Sequence, residues 1–154
     1  MLRFQPVPAD TPPASDLIGA MVAEMAVLYG PIDGPHMPSA TPADFAAPHG
    51  TFLVGFDEDG APVCAGGVKR LDGDAAEIKR MYVVPAARGR GLARVLLGAL
   101  EDAARELGYA VVRLDTGEHQ PHAQALYESA GYRSVGNFNA NPVASFWGEK
   151  RLAS

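Results

Sequence analysis

The stretch Arg88-Gly89-Arg90-Gly91-Leu92-Ala93 carries the residue types and spacing that most directly suggest chemistry. Gly89 and Gly91 allow the main chain to approach bound oxygens closely, and Arg88 and Arg90 add charge-assisted donors. If a helix begins here, its first N–H groups lack acceptors within the helix and point, with the positive end of the dipole, at one spot. The chemistry implied is capture of an anion, a phosphate foremost. The spacing matches neither the nucleoside-triphosphate loop nor the G-x-G-x-x-G dinucleotide turn. A tight turn with solvated arginines is the other reading of these residues.

Charge along the chain frames this stretch. Residues 1–76 hold three basic and ten acidic groups, residues 77–154 ten basic and eight acidic. Lys79, Arg80, Arg88, Arg90 and Arg94 follow one another without an intervening acid. A short basic stretch in a chain of net charge -5 and pI about 5.3 is not the extended basic face that nucleic acid requires. The 154 residues suit a single domain, and 47% hydrophobic content excludes wholesale disorder. No apolar run approaches a signal peptide or membrane span, and the single cysteine, Cys64, excludes an internal disulfide or a cysteine-cluster metal site. A soluble, reduced, cytoplasmic protein with no metal is the expectation.

The elements that must hold these residues follow from periodicity and punctuation. Residues 2–7 suit an opening strand. Leu17, Met21, Met25 and Leu28 recur at helical spacing, so a helix capped by Ser15 or Asp16 runs to about Tyr29 and stops at Gly30-Pro31. Nine of the thirteen prolines lie in the first 50 residues, which predicts a long loop over 31–50 with one short helix at Thr41-Pro42-Ala43-Asp44. Strands over 51–56 and 62–71 flank the turn Asp57-Glu58-Asp59-Gly60. A strand over 76–84 leads into an amphipathic helix over about 91–107, with Leu92, Leu96, Ala99, Leu100, Ala103 and Leu107 inward and Glu101 elsewhere. A strand over 109–114 closes a right-handed parallel crossover. A helix from Pro121 to Gly131 turns Ala123, Leu126, Tyr127 and Ala130 inward, and strands over 132–138 and 143–151 follow. The class is α/β or α+β: a mixed, mostly antiparallel sheet of six to seven strands, a central parallel pair and about four helices.

Two motifs in this order carry a family likeness. Arg88-x-x-Gly91-x-Ala93, preceded by Met81-Tyr82-Val83-x-Pro85, resembles the acyl-coenzyme A signature of the GNAT superfamily of N-acetyltransferases. Gln120-Pro121-x-Ala123-x-Ala125-Leu126-Tyr127-Glu128-x-x-Gly131-Tyr132 is similar to that superfamily's next helix and strand. The likeness covers about two thirds of the chain, from residue 51 onward. Ala93 stands where the motif ends in Gly, and Gln120 where Asn is frequent.

The resemblance implies acetyl-coenzyme A as acyl donor and an amine as acceptor, in one domain that often forms homodimers. Cofactor contacts are implied for Met81, Val83, Arg88, Gly89, Arg90, Gly91, Leu92, Ala93, Arg94, Gln120 and Ala123. The Met81 N–H would face the thioester oxygen and Val83 would pair with the pantetheine arm. An alkyl ammonium of pKa about 10.4 is neutral in only about one molecule in a few thousand at pH 7, so the transfer needs a base. Glu77 matches the position of that base and Tyr127 that of the acid that protonates the thiolate. Simple alternation places Glu77, Lys79, Met81 and Val83 on one face, that of the cofactor, and Ile78, Arg80 and Tyr82 on the other. Glu77 also suits a solvated strand end and Tyr127 an inward-facing aromatic. A non-catalytic acyl-coenzyme A sensor remains the second class, and a protein N-terminus remains an acceptor beside small amines.

The other reactive residues have plainer readings. Cys64 suits a small buried hydrophobe. His119 and His122 lack the partners of a zinc signature. Asp115-Thr116-Gly117-Glu118 follows a parallel strand, where ligands collect in open sheets, and either lines the acceptor site or makes the turn.

Overall fold

The computed structural model describes residues 2–30 and 40–153; the expected loop over 31–39 lies outside the described residues. Seven strands form one sheet: β1 (Arg3–Pro6), β2 (Thr51–Phe56), β3 (Pro62–Asp72), β4 (Ala75–Val83), β5 (Val111–Gly117), β6 (Arg133–Ser134) and β7 (Ala144–Arg151). Their order is β1-β2-β3-β4-β5-β7-β6, and every pair is antiparallel except β4 with β5. The α-helices among the described residues are α1 (Ala14–Tyr29), α2 (Leu92–Glu106) and α3 (Pro121–Ser129), three where about four were expected. The short helix expected after Thr41 is a 3-10 turn, Pro42–Phe45, closed when the Thr41 N–H donates to Asp44 Oδ2 at 2.8 Å. Four residues cannot complete a stable α-helix. No helix among the described residues is long and apolar enough to cross a membrane.

Burial divides between two clusters, one for each helix layer. Leu96, Leu97, Leu100 and Ala104 of α2 pack with Val68, Ile78, Val112 and Leu114. Leu17 and Met21 of α1 pack with Phe45, Phe52, Val54 and Tyr82. The start of α1 has no side-chain cap: its N-cap is Pro13, one turn ahead of the expected Ser15 or Asp16. Leu28, expected inward, is exposed because α1 runs past the cluster it covers. Glu101, expected outside, is buried on α2, where Tyr132 donates to its Oε2 at 2.8 Å and Lys150 to its Oε1 at 3.0 Å. The expected strand over 132–138 shrinks to two residues, since side-chain-closed turns take over from Asn137.

Two irregularities of β4 position everything that follows. Its parallel pairing with β5 is confined to Ala75, Ala76 and Glu77 against Val111, Val112 and Arg113, so the two strands part beyond Glu77. On its other edge, Ala65 opposes Tyr82 and Gly67 opposes Lys79, so Arg80 and Met81 share the single partner Gly66. This is a β-bulge, with Arg80 held at φ 59°. The bulge resets the alternation: Met81 and Val83 pack with Ile78 against the α2 cluster, while Tyr82 joins the α1 cluster. The expected faces are thereby corrected. Glu77 does not share a face with Met81 and Val83, because one extra residue between them turns the strand over.

Candidate active site

The mouth between β4 and β5 collects the polar groups. Glu77, 2% exposed, accepts at Oε2 from Asn139 Nδ2 at 2.9 Å and from Lys79 Nζ at 3.3 Å. Asn139 Nδ2 also donates to Asp115 Oδ2 at 2.6 Å, and Asn141 Nδ2 reaches the same oxygen at 3.2 Å. Two carboxylates on diverging strands are thus bridged by one amide. Neither Asn139 nor Trp147, which donates from Nε1 to Asn139 Oδ1 at 3.1 Å, is singled out by the sequence reading. The alternation Asn137-x-Asn139-x-Asn141 was the available signal, since asparagines that close their own turns mark a built loop.

Tyr127 lies on the α2 side of the same mouth, buried, with its hydroxyl 3.7 Å from Met81 Sδ. Burial, and then the Asp115 charge, push its phenol well above the ordinary tyrosine value, so it stays protonated at neutral pH. Met81 sits in the bulge, out of register with the β3 ladder. Val83 lies at the end of β4, and its carbonyl accepts from Arg88 Nε at 2.9 Å.

The loop after β4 runs through a 3-10 turn, Pro85–Ala87, into α2, whose N-cap is Gly91. Gly89 and Gly91 take φ of 82° and 74°, a left-handed conformation that side chains with a Cβ resist. A Cβ on either would meet nothing within 4 Å, so the loop presents open main chain. The first-turn N–H groups of Leu92, Ala93 and Arg94 point out from the helix end. Leu92 packs its side chain on the core and Ala93 is half-buried. Arg90 is exposed beside a cavity of about 360 Å³ that the Asp57–Asp59 turn also lines. Arg94 donates to Ser129 Oγ on α3. Arg88, expected to face an anion, ion-pairs with Glu24 of α1 at 2.7 Å as well as bonding Val83. Its guanidinium is drawn aside because Glu24 is within reach across the loop.

At the start of α3, Gln120 is the N-cap, and its Oε1 accepts from Tyr29 Oη at 3.3 Å and Thr116 Oγ1 at 3.4 Å. Gln120 therefore ties α1 to α3 through its side-chain carbonyl. Ala123, one turn on, packs against the core. Tyr29 also accepts from the His119 N–H at 3.1 Å and lies 5.0 Å from the His119 ring. The tyrosine passes so close to Gly117 that any side chain there would collide with it. The mouth is thus bounded by Glu77, Asp115 and Asn139 on one side, Tyr127 and Met81 on the other, and by α1's last residue.

The sheet is thus mixed and seven-stranded, splays after a parallel pair, and sets a glycine-lined helix start beside the splay. The acetyltransferase (GNAT) family model matches residues 20–132. The chain belongs to the GNAT acetyltransferase family. One GNAT relative, the IAA acetyltransferase of Azospirillum brasilense, is 37% identical over 93 residues, covering 60% of this chain and 61% of the relative. The chain thus matches under two thirds of the length of that relative. The N-alpha-acetyltransferase RimI of Mycobacterium tuberculosis is 35% identical over 138 residues, covering 83% of this chain and 84% of RimI. A crystal structure from Klebsiella pneumoniae, assigned to the acyl-CoA N-acyltransferases, superposes with a TM-score of 0.79 at 27% identity over 99% of both chains. The phosphinothricin acetyltransferase of Sinorhizobium meliloti, solved in complex with acetyl-CoA, shares the fold at 19% identity and TM-score 0.68, covering 98% of this chain and 88% of its own.

Proposed function

We propose that the protein is an N-acetyltransferase that moves an acetyl group from acetyl-CoA directly to the primary amine of a small molecule or amino acid. The observation that carries this reading is the parting of β4 and β5 beyond Glu77, with a buried carboxylate and a protonated phenol on its two sides. GNAT membership supplies the donor: relatives carry acetyltransferase names, and a structural neighbour is solved with acetyl-CoA.

The residues present suit that donor. The open main chain of Gly89 and Gly91 and the N–H groups of Leu92, Ala93 and Arg94 fit a pyrophosphate, with Arg88 and Arg90 at the rim. The end of β4 at Met81 and Val83, free of β5, suits an extended arm that pairs like an added strand, and Gln120 and Ala123 line the α3 side. Acetyl-CoA brings an activated thioester; the chain's own groups move the protons.

Glu77 takes the proton that the incoming ammonium must shed, through its Oε1, since Asn139 and Lys79 hold Oε2. The C–N bond then forms as the C–S bond breaks, and the Met81 N–H, turned out of the ladder by the bulge, faces the carbonyl oxygen. Tyr127 gives its phenolic proton to the departing sulfur and regains one, through solvent, from the nitrogen that has become an amide. The products are the N-acetyl amine, free thiol and one proton. A peptide N-terminus is the second reading for the acceptor, favoured by the likeness to RimI over 84% of that protein's length.

The test is release of free thiol from acetyl-CoA against a panel of amino acids, polyamines, aryl amines and short peptides, with the acetylated product identified by mass. Amine-dependent release is expected from at least one class. Cofactor binding without release across the panel would contradict transfer and leave a sensor.

A further inference from the structure

Beyond the groups that would exchange protons, one side chain is built into the site with no reactive atom of its own. Asn139 Nδ2 has two hydrogens and two carboxylate acceptors, Glu77 Oε2 at 2.9 Å and Asp115 Oδ2 at 2.6 Å. Its Oδ1 accepts from Trp147 Nε1 at 3.1 Å and from the Asn141 N–H at 3.1 Å. An indole N–H only donates, so the amide has a single orientation, with both hydrogens aimed at the carboxylates. Trp147 stands opposite Asp115 on β7 and places the amide from there.

Two carboxylates brought this close disfavour each other's ionised form, and donors shared between them favour it. We propose that Asn139 is a positioning residue that holds the Glu77 and Asp115 carboxylates apart and ionised together, which extends the range in which Glu77 acts as a base to lower pH. The role in transfer rests on the reading of Glu77 given above; the electrostatic role does not. The charges around Glu77 are consistent with this task. Lys79 on its own strand bonds the same oxygen, and Lys69 faces it from β3. Beside the Thr41 hydrogen bond, the Lys69 charge also helps to lower the carboxyl of Asp44 in the 3-10 turn. From β5, Arg113 opposes Glu77 but is committed to Glu149 at 2.7 Å and to Asp72 at 3.7 Å. Glu24 of α1 is committed to Arg88. Asn139 is the neutral donor that touches both acids.

The experiment compares wild type with Asn139→Ala, Asn139→Asp and Trp147→Phe in the full chain. Side-chain carboxyl carbons are followed by NMR as pH is varied without substrate, and the acid limb of kcat/KM for acetyl transfer is followed with it. Glu77 and Asp115 midpoints should rise by about one pH unit in Asn139→Ala and further in Asn139→Asp, where a third carboxylate replaces the donors. Trp147→Phe should raise them less, because the amide survives and loses only one of the two donors that hold its Oδ1. The acid limb should move with the midpoints while acetyl-CoA affinity stays near wild type. Should Asn139→Asp not fold, Trp147→Phe and Asn139→Ala carry the same measurement. Midpoints that stay at the wild-type pH in Asn139→Ala, with only thermal stability changed, would overturn the proposal. Midpoints that move while the limb stays fixed would remove Glu77 from the reaction and Asn139's part in transfer with it. A Glu77→Gln variant that keeps the acid limb identifies that second failure.

Discussion

Glu24 on α1 and Arg88 in the loop before α2 form an ion pair of 2.7 Å that ties the helix covering one face of the sheet to the loop that opens onto the other. The Arg88 hydrogen bond, and less so its charge, hold the Glu24 carboxyl below the usual carboxylate range. Both groups are partly exposed, so the pair adds little to stability. Its effect is expected on binding. Glu24→Gln should free Arg88 and tighten acetyl-CoA binding about two- to fivefold at low salt, an effect of less than about 1 kcal/mol. Arg88→Ala should weaken binding, and rising ionic strength should shrink both differences. Gly91→Val should weaken it at every salt concentration, because it blocks main-chain approach at a position of positive φ. Since a lowered carboxyl pKa keeps the pair intact above the ordinary range and loses it as pH falls through the lowered value, the Glu24→Gln advantage should fade in acid. Titration calorimetry reads each of these, and equal weakening by Glu24→Gln and Arg88→Ala would mean that the pair persists with donor bound.

Gly117 is constrained by Tyr29 rather than by its own backbone, since its φ is not in the left-handed range. Gly117→Ala should cost about 1–3 kcal/mol of stability through overpacking. The loss should largely disappear when Tyr29 is changed to Ala in the same chain. Thermal unfolding of the single and double variants measures the coupling; simple addition of the two losses would refute the contact.

The buried group of Glu101, Tyr132 and Lys150 links α2 to the sheet's far edge. Glu101→Ala should destabilise by about 2–4 kcal/mol, since it orphans a buried hydroxyl and an amine. Burial, and then the Glu101 charge, raise the Tyr132 phenol, and burial raises that of Tyr127. Unfolded tyrosines ionise near pH 10 while these stay protonated, so folded-state stability is retained below about pH 10 and lost above it. Tyr132→Phe and Tyr127→Phe should each flatten that alkaline loss, as chemical denaturation at pH 8 and 10.5 would show.

Cys64 is fully buried, and burial pushes its thiol up to about 11. The native protein should react negligibly with a thiol reagent at pH 8 and label fully when unfolded. Rapid native labelling would contradict the packing around β3.

Helix α2, the crossover and the glycine turn were legible because their periodicity and punctuation are local. What failed to show locally depended on distant partners. Glu101 reads as a surface acid until Tyr132 and Lys150, 31 and 49 residues on, arrive beside it. Arg88 reads as an anion ligand, and its ion pair with Glu24, 64 residues earlier, carries no local mark. The bulge escaped because an arginine at φ 59° carries no sequence mark, and it reversed the face of every later β4 residue. The family likeness supplied Glu77 and Tyr127; only the folded loop over 137–141 supplied Asn139.

The rate of amine-dependent thiol release as a function of pH, for wild type and Glu77→Gln at saturating acetyl-CoA, tests the central claim most directly. The variant should be slower by about 10²- to 10⁴-fold near pH 7, the range typical of a general base, and should recover as pH rises and the amine becomes neutral without help. Profiles that overlay from pH 6 to 9 would contradict proton transfer through Glu77.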